Sequence, residues 1–300
     1  MAGVYSEPDH DMAYDEAEAS EPWRDLPAPT TILYPWDDCS TYIRRPPFAG
    51  FGNGTKLGNY EATPILVVGD DITTDHISPA GAISAQSEAG RHLAERGDDP
   101  TDLNVFSSRR GNWEVMIRGL FTNKSVRNLL GASIPPGSTV LAGSGETLPL
   151  WDAAQKYRAE GRSVVVIAGE RYGMGSSRDW AAKGVAQLGA RAVLAVSFEH
   201  IHRWNLIGMG VLPLRLPHGM GPESLGLGVD DLVCINADLR SISPRGAVEV
   251  TILRPGGESM RLKATAAVEA SAEIRLLVAG GVLPLILNDL KQSLSERAAV

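Results

Sequence analysis

The most informative segment of the chain is Val164-Val-Val-Ile-Ala-Gly-Glu-Arg-Tyr-Gly-Met-Gly-Ser-Ser-Arg-Asp-Trp-Ala-Ala-Lys-Gly184. Its first five residues form an apolar run typical of a buried strand, and residues 180–188 have the composition of a helix. A glycine-containing loop therefore joins a strand to the N-terminus of a helix. Free backbone N–H groups and the helix dipole favour anions at such a terminus. The segment predicts a site for a small acidic molecule.

Two serines and an arginine lie in this loop, and two interpretations of them are open. Ser176 or Ser177 could simply cap the following helix. Alternatively, Gly173 and Gly175 allow the backbone to approach a ligand, and Arg178 can pair bidentately with a carboxylate. A serine works as a base here only if N–H groups and a nearby cation stabilise its alkoxide. The Gly-Lys-Ser/Thr ending of a Walker phosphate loop is missing, so that class is excluded.

Strand and helix patterns alternate along most of the chain. This interleaving predicts an α/β fold, with some antiparallel strands in the last third. Strands are expected at 64–69, 138–142, 164–168, 192–196, 210–214, 247–253 and 260–264, and helices at 85–95, 150–159, 180–188, 200–206, 270–279 and 284–295.

The composition limits the class of protein. Of the 300 residues 43% are hydrophobic and 21% charged, as in an ordinary globular protein, and no apolar run is long enough to span a bilayer. The net charge of −8 argues against non-specific nucleic-acid binding. The first residues lack a secretory leader, so we expect a cytoplasmic protein without membrane association. Two cysteines, Cys39 and Cys234, are too few for an iron–sulfur cluster or a zinc site and are expected to be plain thiols.

The chain is expected to have three parts. Residues 1–30 carry seven carboxylates before the first lysine or arginine, Arg24, and are predicted to form a disordered acidic tail. Residues 31–60 are predicted to form an extended linker, because the prolines at 46 and 47 forbid a regular helix. Residues 61–300 form the predicted globular domain.

A second polar segment follows the strand expected at 64–69 and runs to Gly81. It contains Asp75 and His76, which are adjacent and therefore point in different directions, so they cannot form a simple dyad. One interpretation is a turn held by Asx and Ser/Thr hydrogen bonds. The other is a ligand site, since α/β folds place their ligands at the carboxyl ends of strands.

Three arginines and two histidines complete the candidates. Each of Arg109, Arg110 and Arg118 alone is best interpreted as a solvated surface residue, but Arg118 lies among apolar residues and is expected to reach an anion or a buried carboxylate. His200 and His202 are spaced i, i+2 on a predicted helix and face different sides, so metal ligation is not expected.

Taken together, these motifs resemble the C-terminal part of an aconitase, in the branch of aconitase A and the iron-regulatory proteins. The resemblance runs from about residue 23 to 290. It implies a three-layer β/β/α swivelling domain that closes over a [4Fe–4S] cluster carried elsewhere. The segments that carry the resemblance are, in order, 36–48, 74–81, 109–119, 172–184 and 205–214.

The resemblance also implies roles for six residues. They are catalytic Ser176, Asp75 and His76, and substrate-binding Arg118, Ser177 and Arg178. The Ser176 alkoxide would remove a proton from the carbon next to a carboxylate, while cluster iron acts as a Lewis acid on the departing hydroxyl. The implied reaction is the stereospecific dehydration and rehydration that converts citrate to isocitrate through cis-aconitate.

The cluster cysteines of the family have no counterpart in this sequence. We therefore expect no metal on this chain and a cluster-bearing large subunit as its partner, with a tricarboxylate as substrate. The chain would be a small subunit or the C-terminal portion of a longer one. Two alternatives stay open: a non-catalytic, citrate-binding regulatory protein, and an enzyme for 2-methylcitrate or a related analogue.

Overall fold

The computed structural model describes residues 7–21, 25, 29–48 and 54–298. The chain divides into two compact units, Met1–Asp38 and Cys39–Val300. The first unit contains helix α1, Glu7–Glu18. The sequence predicted disorder over 1–30, and the structure differs here because alanine and glutamate are good helix formers and early acidic residues complement the helix dipole. Residues 1–6, 22–24 and 26–28 of that prediction lie outside the described residues.

The second unit is built on a closed barrel of seven strands. Their order around the barrel is β1-β4-β5-β6-β9-β8-β7, and β2 and β3 form a separate two-stranded sheet. The strands are β1 (Gly58–Val67), β2 (Ser138–Val140), β3 (Thr147–Pro149), β4 (Ser163–Ala168), β5 (Ala190–Ala195), β6 (Leu212–Arg215), β7 (Leu232–Ala237), β8 (Ala247–Leu253) and β9 (Ser259–Ala266).

Helices connect the parallel strands, and two further helices follow the last strand. A short 3₁₀ helix covers Phe106–Arg109. The α-helices of this unit are α2 (Thr74–Ile77), α3 (Glu88–Glu95), α4 (Trp113–Arg118), α5 (Leu150–Ala159), α6 (Asp179–Gln187), α7 (His200–Gly208), α8 (Pro222–Leu225), α9 (Ser271–Ala279) and α10 (Val282–Ala298).

The barrel combines a parallel and an antiparallel half. Strands β1, β4, β5 and β6 pair in parallel, and β6, β9, β8, β7 and β1 pair antiparallel. The predicted α/β class is confirmed, and the antiparallel strands lie in the last third of the chain as expected. Because parallel strands end at one edge, the segments after β1 and β4 emerge side by side.

Strand β4 is buried on both faces, and this explains why its residues 164–168 are all apolar and not only every second one. Val165 and Ile167 belong to the hydrophobic cluster shared by the barrel strands, whereas Val164, Val166 and Ala168 belong to the cluster that includes α5 and α6. All five are at most 2% exposed. A parallel strand covered on both faces is expected to form a continuous apolar run.

Residues 41 and 42 of the predicted linker are attached to the domain by Arg109. This residue was expected at the surface, and that expectation is wrong, because it is 1% exposed. Its guanidinium pairs with Asp98 at 2.7 Å, donates to the Thr41 carbonyl at 3.0 Å and covers the Tyr42 ring at 4.1 Å. Residues 29–48 contain neither helix nor strand, and these contacts hold residues 41 and 42 in place.

In the described part of the chain, no single helix is long and apolar enough to cross a membrane. The pair α9 and α10, bent by 83°, passes that test of length and composition only when taken together.

Candidate active site

The two predicted polar segments lie next to each other at the carboxyl ends of β1 and β4. Thr73 and Met174 form a parallel bridge that continues the pairing of those strands. The Gly173 N–H donates to the Ile72 carbonyl at 2.7 Å, and the Thr74 N–H donates to the Met174 carbonyl at 2.8 Å. The fold therefore holds the serine loop against α2 by backbone hydrogen bonds.

Ser176 is exposed on this loop and is held by a threonine that the sequence analysis missed. The Thr74 hydroxyl donates to the Ser176 carbonyl oxygen at 2.9 Å, and the two hydroxyl oxygens lie 3.3 Å apart. Thr74 is itself buried, at 2% exposure. Its position directly before Asp75 was the available signal, but that position alone does not reveal a contact across the fold.

Neither serine caps the helix that follows. The N-cap of α6 is Arg178, and no side chain accepts a hydrogen bond from the helix N-terminus. Gly175 takes φ +111°, and the N–H groups of Gly175, Ser176 and Ser177 have no acceptor among the described residues. Consecutive unpaired N–H groups near a helix N-terminus are donors for an anion. The capping interpretation is therefore wrong, and the ligand-binding interpretation remains.

Arg178 lies between the serine loop and α2. Its Nη1 pairs with Asp75 Oδ1 at 2.6 Å and reaches the Ser78 carbonyl at 3.3 Å, and its backbone N–H donates to the Ser176 carbonyl at 2.8 Å. Its Nε and Nη2 have no partner among the described residues. One edge of the guanidinium is thus free for a bidentate carboxylate.

The His76 side chain forms its hydrogen bonds with residues other than Ser176. Its Nδ1 accepts the Thr73 N–H at 3.1 Å, its Nε2 lies 3.1 Å from Ser125 Oγ, and its own N–H donates to Thr73 Oγ1 at 3.2 Å. These contacts make a capping box at the start of α2. Both ring nitrogens are thus used to fix α2, and Asp75 and His76 point to different partners.

Arg118 and Ser177 are not in contact with the Ser176 hydroxyl. Arg118 ends α4, donates from Nη1 to the Glu114 carbonyl at 2.6 Å and lines a small cleft with Glu88 and Asp152. Burial lowers the pKa of its guanidinium, and it forms no ion pair within the residues described. Ser177 is exposed. The structure therefore brings together Ser176, Thr74, Asp75 and Arg178 and leaves Arg118 outside this group.

Two buried polar side chains lie beneath the loop, and sequence reasoning assigned neither to the site. Tyr172 packs edge-on against His202, with ring centroids 5.1 Å apart. The Tyr172 hydroxyl and both His202 ring nitrogens are buried without a hydrogen-bond partner. Burial lowers the pKa of His202 to about 3, so the ring is neutral.

Over the described ranges, no group of three or more His, Cys, Asp or Glu side chains could hold a metal ion.

The fold and this loop define an α/β domain that presents a serine, an arginine and unpaired amides at the carboxyl ends of its parallel strands. Residues 89–219 match the family model described as aconitase C-terminal domain. The chain belongs to that family, as the motifs predicted.

Curated relatives match most of this chain but are much longer than it is. An aconitate hydratase A of Thermus thermophilus is 46% identical over 278 residues, covering 92% of this chain and 31% of the relative. The aconitate hydratases A of Pseudomonas aeruginosa and Bacillus subtilis are 42% and 41% identical, and each match covers 90% of this chain and 30% of the relative. The chain thus spans about 30% of the length of these relatives.

A solved structure was also found. A 3-isopropylmalate dehydratase of Methanocaldococcus jannaschii aligns with 80% of this chain and 99% of its own, at 18% identity and a TM-score of 0.38. That score is too low to inform the fold or the site.

Proposed function

We propose that this chain is the swivel domain of an aconitase-type hydro-lyase, either as a small subunit or as the C-terminal portion of a longer chain. Its substrate would be a tricarboxylic hydroxy acid, with citrate to isocitrate through cis-aconitate as the reaction. The observation that carries the proposal is the exposed Ser176 hydroxyl, 3.3 Å from the Thr74 hydroxyl and beside three unpaired backbone amides. We propose a cytoplasmic location and no activity for the chain alone.

In this proposal Ser176 is the base. Its alkoxide takes the proton from the carbon next to a substrate carboxylate, and the electron pair of that C–H bond becomes the new double bond as hydroxide leaves. The serine oxygen needs stabilisation as an anion, and the N–H groups of the loop are donors suited to it. The single Thr74 proton can add to them by turning from the Ser176 carbonyl oxygen to the serine oxygen, 3.3 Å away. Rehydration returns the proton by the reverse path.

Arg178 is the proposed carboxylate partner. Its free Nε and Nη2 edge fits a bidentate carboxylate, and Asp75 holds the opposite nitrogen, Nη1, at 2.6 Å. Asp75 would therefore orient the guanidinium, and His76 would hold the short helix on which Asp75 lies. Ser177, exposed beside Ser176, contributes an N–H and a hydroxyl that the substrate can reach.

Arg118 is proposed to bind a second carboxylate. It is half-buried and has no ion-pair partner in the described part of the chain, although Glu114, Asp152 and Glu88 all act on its pKa electrostatically. A desolvated guanidinium without a salt bridge is stabilised by an incoming anion.

A [4Fe–4S] cluster does not fit the residues of this chain. Such a cluster is held by three or four thiolates, whereas the sequence has two cysteines, of which Cys39 is exposed and Cys234 lies in β7. Loss of the substrate hydroxyl is accordingly not a step that these residues provide. We propose that a cluster-bearing partner chain, or the region corresponding to the remaining length of the relatives, provides it.

Reconstitution tests the proposal. The Thermus thermophilus relative, truncated before the region that matches this chain and loaded with its cluster, would be mixed with this protein, and the absorbance of cis-aconitate would be followed with citrate as substrate. We expect activity well above that of either component alone. No increase, with the cluster shown spectroscopically to be intact, contradicts the proposal.

Calorimetry with citrate distinguishes the regulatory alternative. A citrate sensor would use the same amides and guanidinium and would bind citrate tightly without a partner. A catalytic domain that holds only part of the site is expected to bind weakly alone. Comparing citrate with 2-methylcitrate in the reconstituted enzyme decides between the two substrates.

A further inference from the structure

The backbone of the serine loop lies directly on a side chain from another element, the imidazole of His202. His202 is in the first turn of α7 and is 1% exposed. A Cβ added to Gly173 would lie 2.1 to 2.4 Å from His202 Cδ2, Cγ and Cβ, far inside van der Waals contact. Gly173 also takes φ +85°, which glycine adopts readily. The ring and the loop are therefore fitted to each other.

The opposite side of the same loop is held by the segment that leads into α2. Gly173 donates to the Ile72 carbonyl, and the Met174 carbonyl accepts from Thr74. Residues 173 and 174 are thus fixed between Ile72–Thr74 on one side and the His202 ring on the other. Ser176 follows two residues later and contacts Thr74. The thickness of the ring therefore determines how close the loop lies to Thr74.

The ring nitrogens do not contribute hydrogen bonds to this arrangement. Neither nitrogen has a partner in the parts of the chain that are described, and the neighbouring Tyr172 hydroxyl has none either. Burial lowers the pKa of His202 to about 3, so the imidazole is neutral at any pH at which the protein would work. The His202 side chain therefore supports the loop by van der Waals contact and not by a hydrogen bond or a charge.

We infer that His202 is a positioning residue, whose ring supports Gly173 and thereby sets the spacing between the Ser176 and Thr74 hydroxyls. The inference rests on the proposed function, in which Ser176 is the base. It assigns His202 no proton transfer and no contact with substrate.

Two substitutions separate shape from chemistry in the reconstituted enzyme. His202→Ala removes the support and is expected to lower kcat at least 30-fold, with KM changed less than threefold. His202→Phe keeps a flat ring and removes both nitrogens, and it is expected to restore kcat to within fivefold of the parent without changing the pH profile. His200→Ala is the matched control, because His200 lies on the same helix and is exposed, and its kcat should equal that of the parent.

A second readout uses the isolated full chain and does not depend on activity. In His202→Ala the amide NMR resonances of residues 173–177 are expected to shift, and in His200→Ala they are not. If His202→Ala does not fold, His202→Asn replaces it in both measurements.

Three outcomes have distinct meanings. If His202→Ala keeps kcat within threefold of an active parent, or if the loop resonances do not move, the inference is overturned. If a folded His202→Phe is as impaired as His202→Ala, the nitrogens matter and the shape argument is wrong. If the parent is itself inactive, the proposed function fails, while the resonances of the loop still decide the positioning role.

Discussion

The Thr74 hydroxyl donates to the Ser176 carbonyl oxygen at 2.9 Å and lies 3.3 Å from the Ser176 hydroxyl oxygen, although 102 positions separate the two residues in sequence. This contact joins the segment after β1 to the loop after β4. It connects a buried side chain, which has a fixed position, to an exposed one that can meet a ligand. The proposed chemistry depends on this relationship.

Removing the threonine hydroxyl should impair catalysis more than stability. We expect Thr74→Val to lower kcat of the reconstituted enzyme about 10- to 100-fold, because Ser176 loses the hydrogen bond to its carbonyl and the hydroxyl beside its own oxygen. The same change should lower the free energy of unfolding by only about 1 kcal/mol. Thr74→Ser keeps the hydroxyl and should recover most of the activity. Steady-state kinetics and urea unfolding check both values, and equal activity of Thr74→Val and the parent would contradict the role.

The Asp75–Arg178 pair should affect the KM for substrate and have little effect on the stability of the folded chain. Both side chains are substantially exposed, at 57% and 32%, so solvent screening limits the stability contribution of the pair to about 1 kcal/mol or less. Arg178→Lys loses the planar, bidentate edge and is expected to raise KM for citrate at least tenfold. Asp75→Asn should give a smaller increase. Thermal unfolding of both variants close to that of the parent is the control, and an unchanged KM in Arg178→Lys would argue against a carboxylate contact.

A buried ion pair between α7 and α9 should dominate the stability of that part of the domain. Arg203 donates to both carboxylate oxygens of Glu273, at 2.8 and 2.9 Å, and the two side chains are 5% and 9% exposed. Glu273→Ala removes the bidentate, buried partner of the Arg203 cation, so we expect a loss of about 3–5 kcal/mol in the free energy of unfolding.

Glu269 provides the matched control for that ion pair. It lies 4.0 Å from the same arginine but is 49% exposed. Glu269→Ala should cost less than about 1 kcal/mol. Urea unfolding that ranks the two substitutions equally would show that burial does not decide the outcome.

Acidification should destabilise the domain through His202. The pKa of this imidazole is about 3 in the folded chain and 6.5 when exposed, so between those values the unfolded state binds a proton that the folded state does not. Its contribution to stability is present above pH 6.5 and is lost as the pH falls. From pH 7.5 to 5.0 this amounts to about 2 kcal/mol of unfolding free energy. Urea titrations at both pH values should find a loss about 2 kcal/mol larger in the parent than in His202→Phe, and an identical loss in both would exclude His202 as the source.

Local sequence patterns were sufficient to predict most elements. The helix expected at 150–159 is α5, and the strand expected at 164–168 is β4 with one more residue. Closure of the barrel was not predicted, because it requires β7 to pair with β1 across a long separation in sequence. The buried alternation of Val233, Ile235 and Ala237 was the signal for β7, but a pattern of period two does not identify the partner strand.

The candidate site was predicted where a motif is contiguous and missed where it depends on tertiary contacts. Ser176 and Arg178 follow a strand and precede a helix, so their position could be inferred from the sequence. Thr74 and His202 contact the loop only after folding, through a hydrogen bond and a steric fit. Arg109 was wrongly predicted to lie at the surface for the same reason. Its ion-pair partner, Asp98, comes close to it only in the folded chain, where Asp98 also accepts a hydrogen bond from Thr41.

Hydrogen exchange at the substrate carbon tests most directly whether Ser176 is the base. Isocitrate labelled with deuterium at the carbon whose hydrogen is removed would be incubated with the reconstituted enzyme in ordinary water, and loss of the label would be followed by mass spectrometry. We expect rapid loss with the parent chain and at least 1,000-fold slower loss with Ser176→Ala, with Ser177→Ala much less affected. Label loss from Ser176→Ala at the parent rate, with the variant folded and assembled, would contradict the assignment of Ser176 as the base.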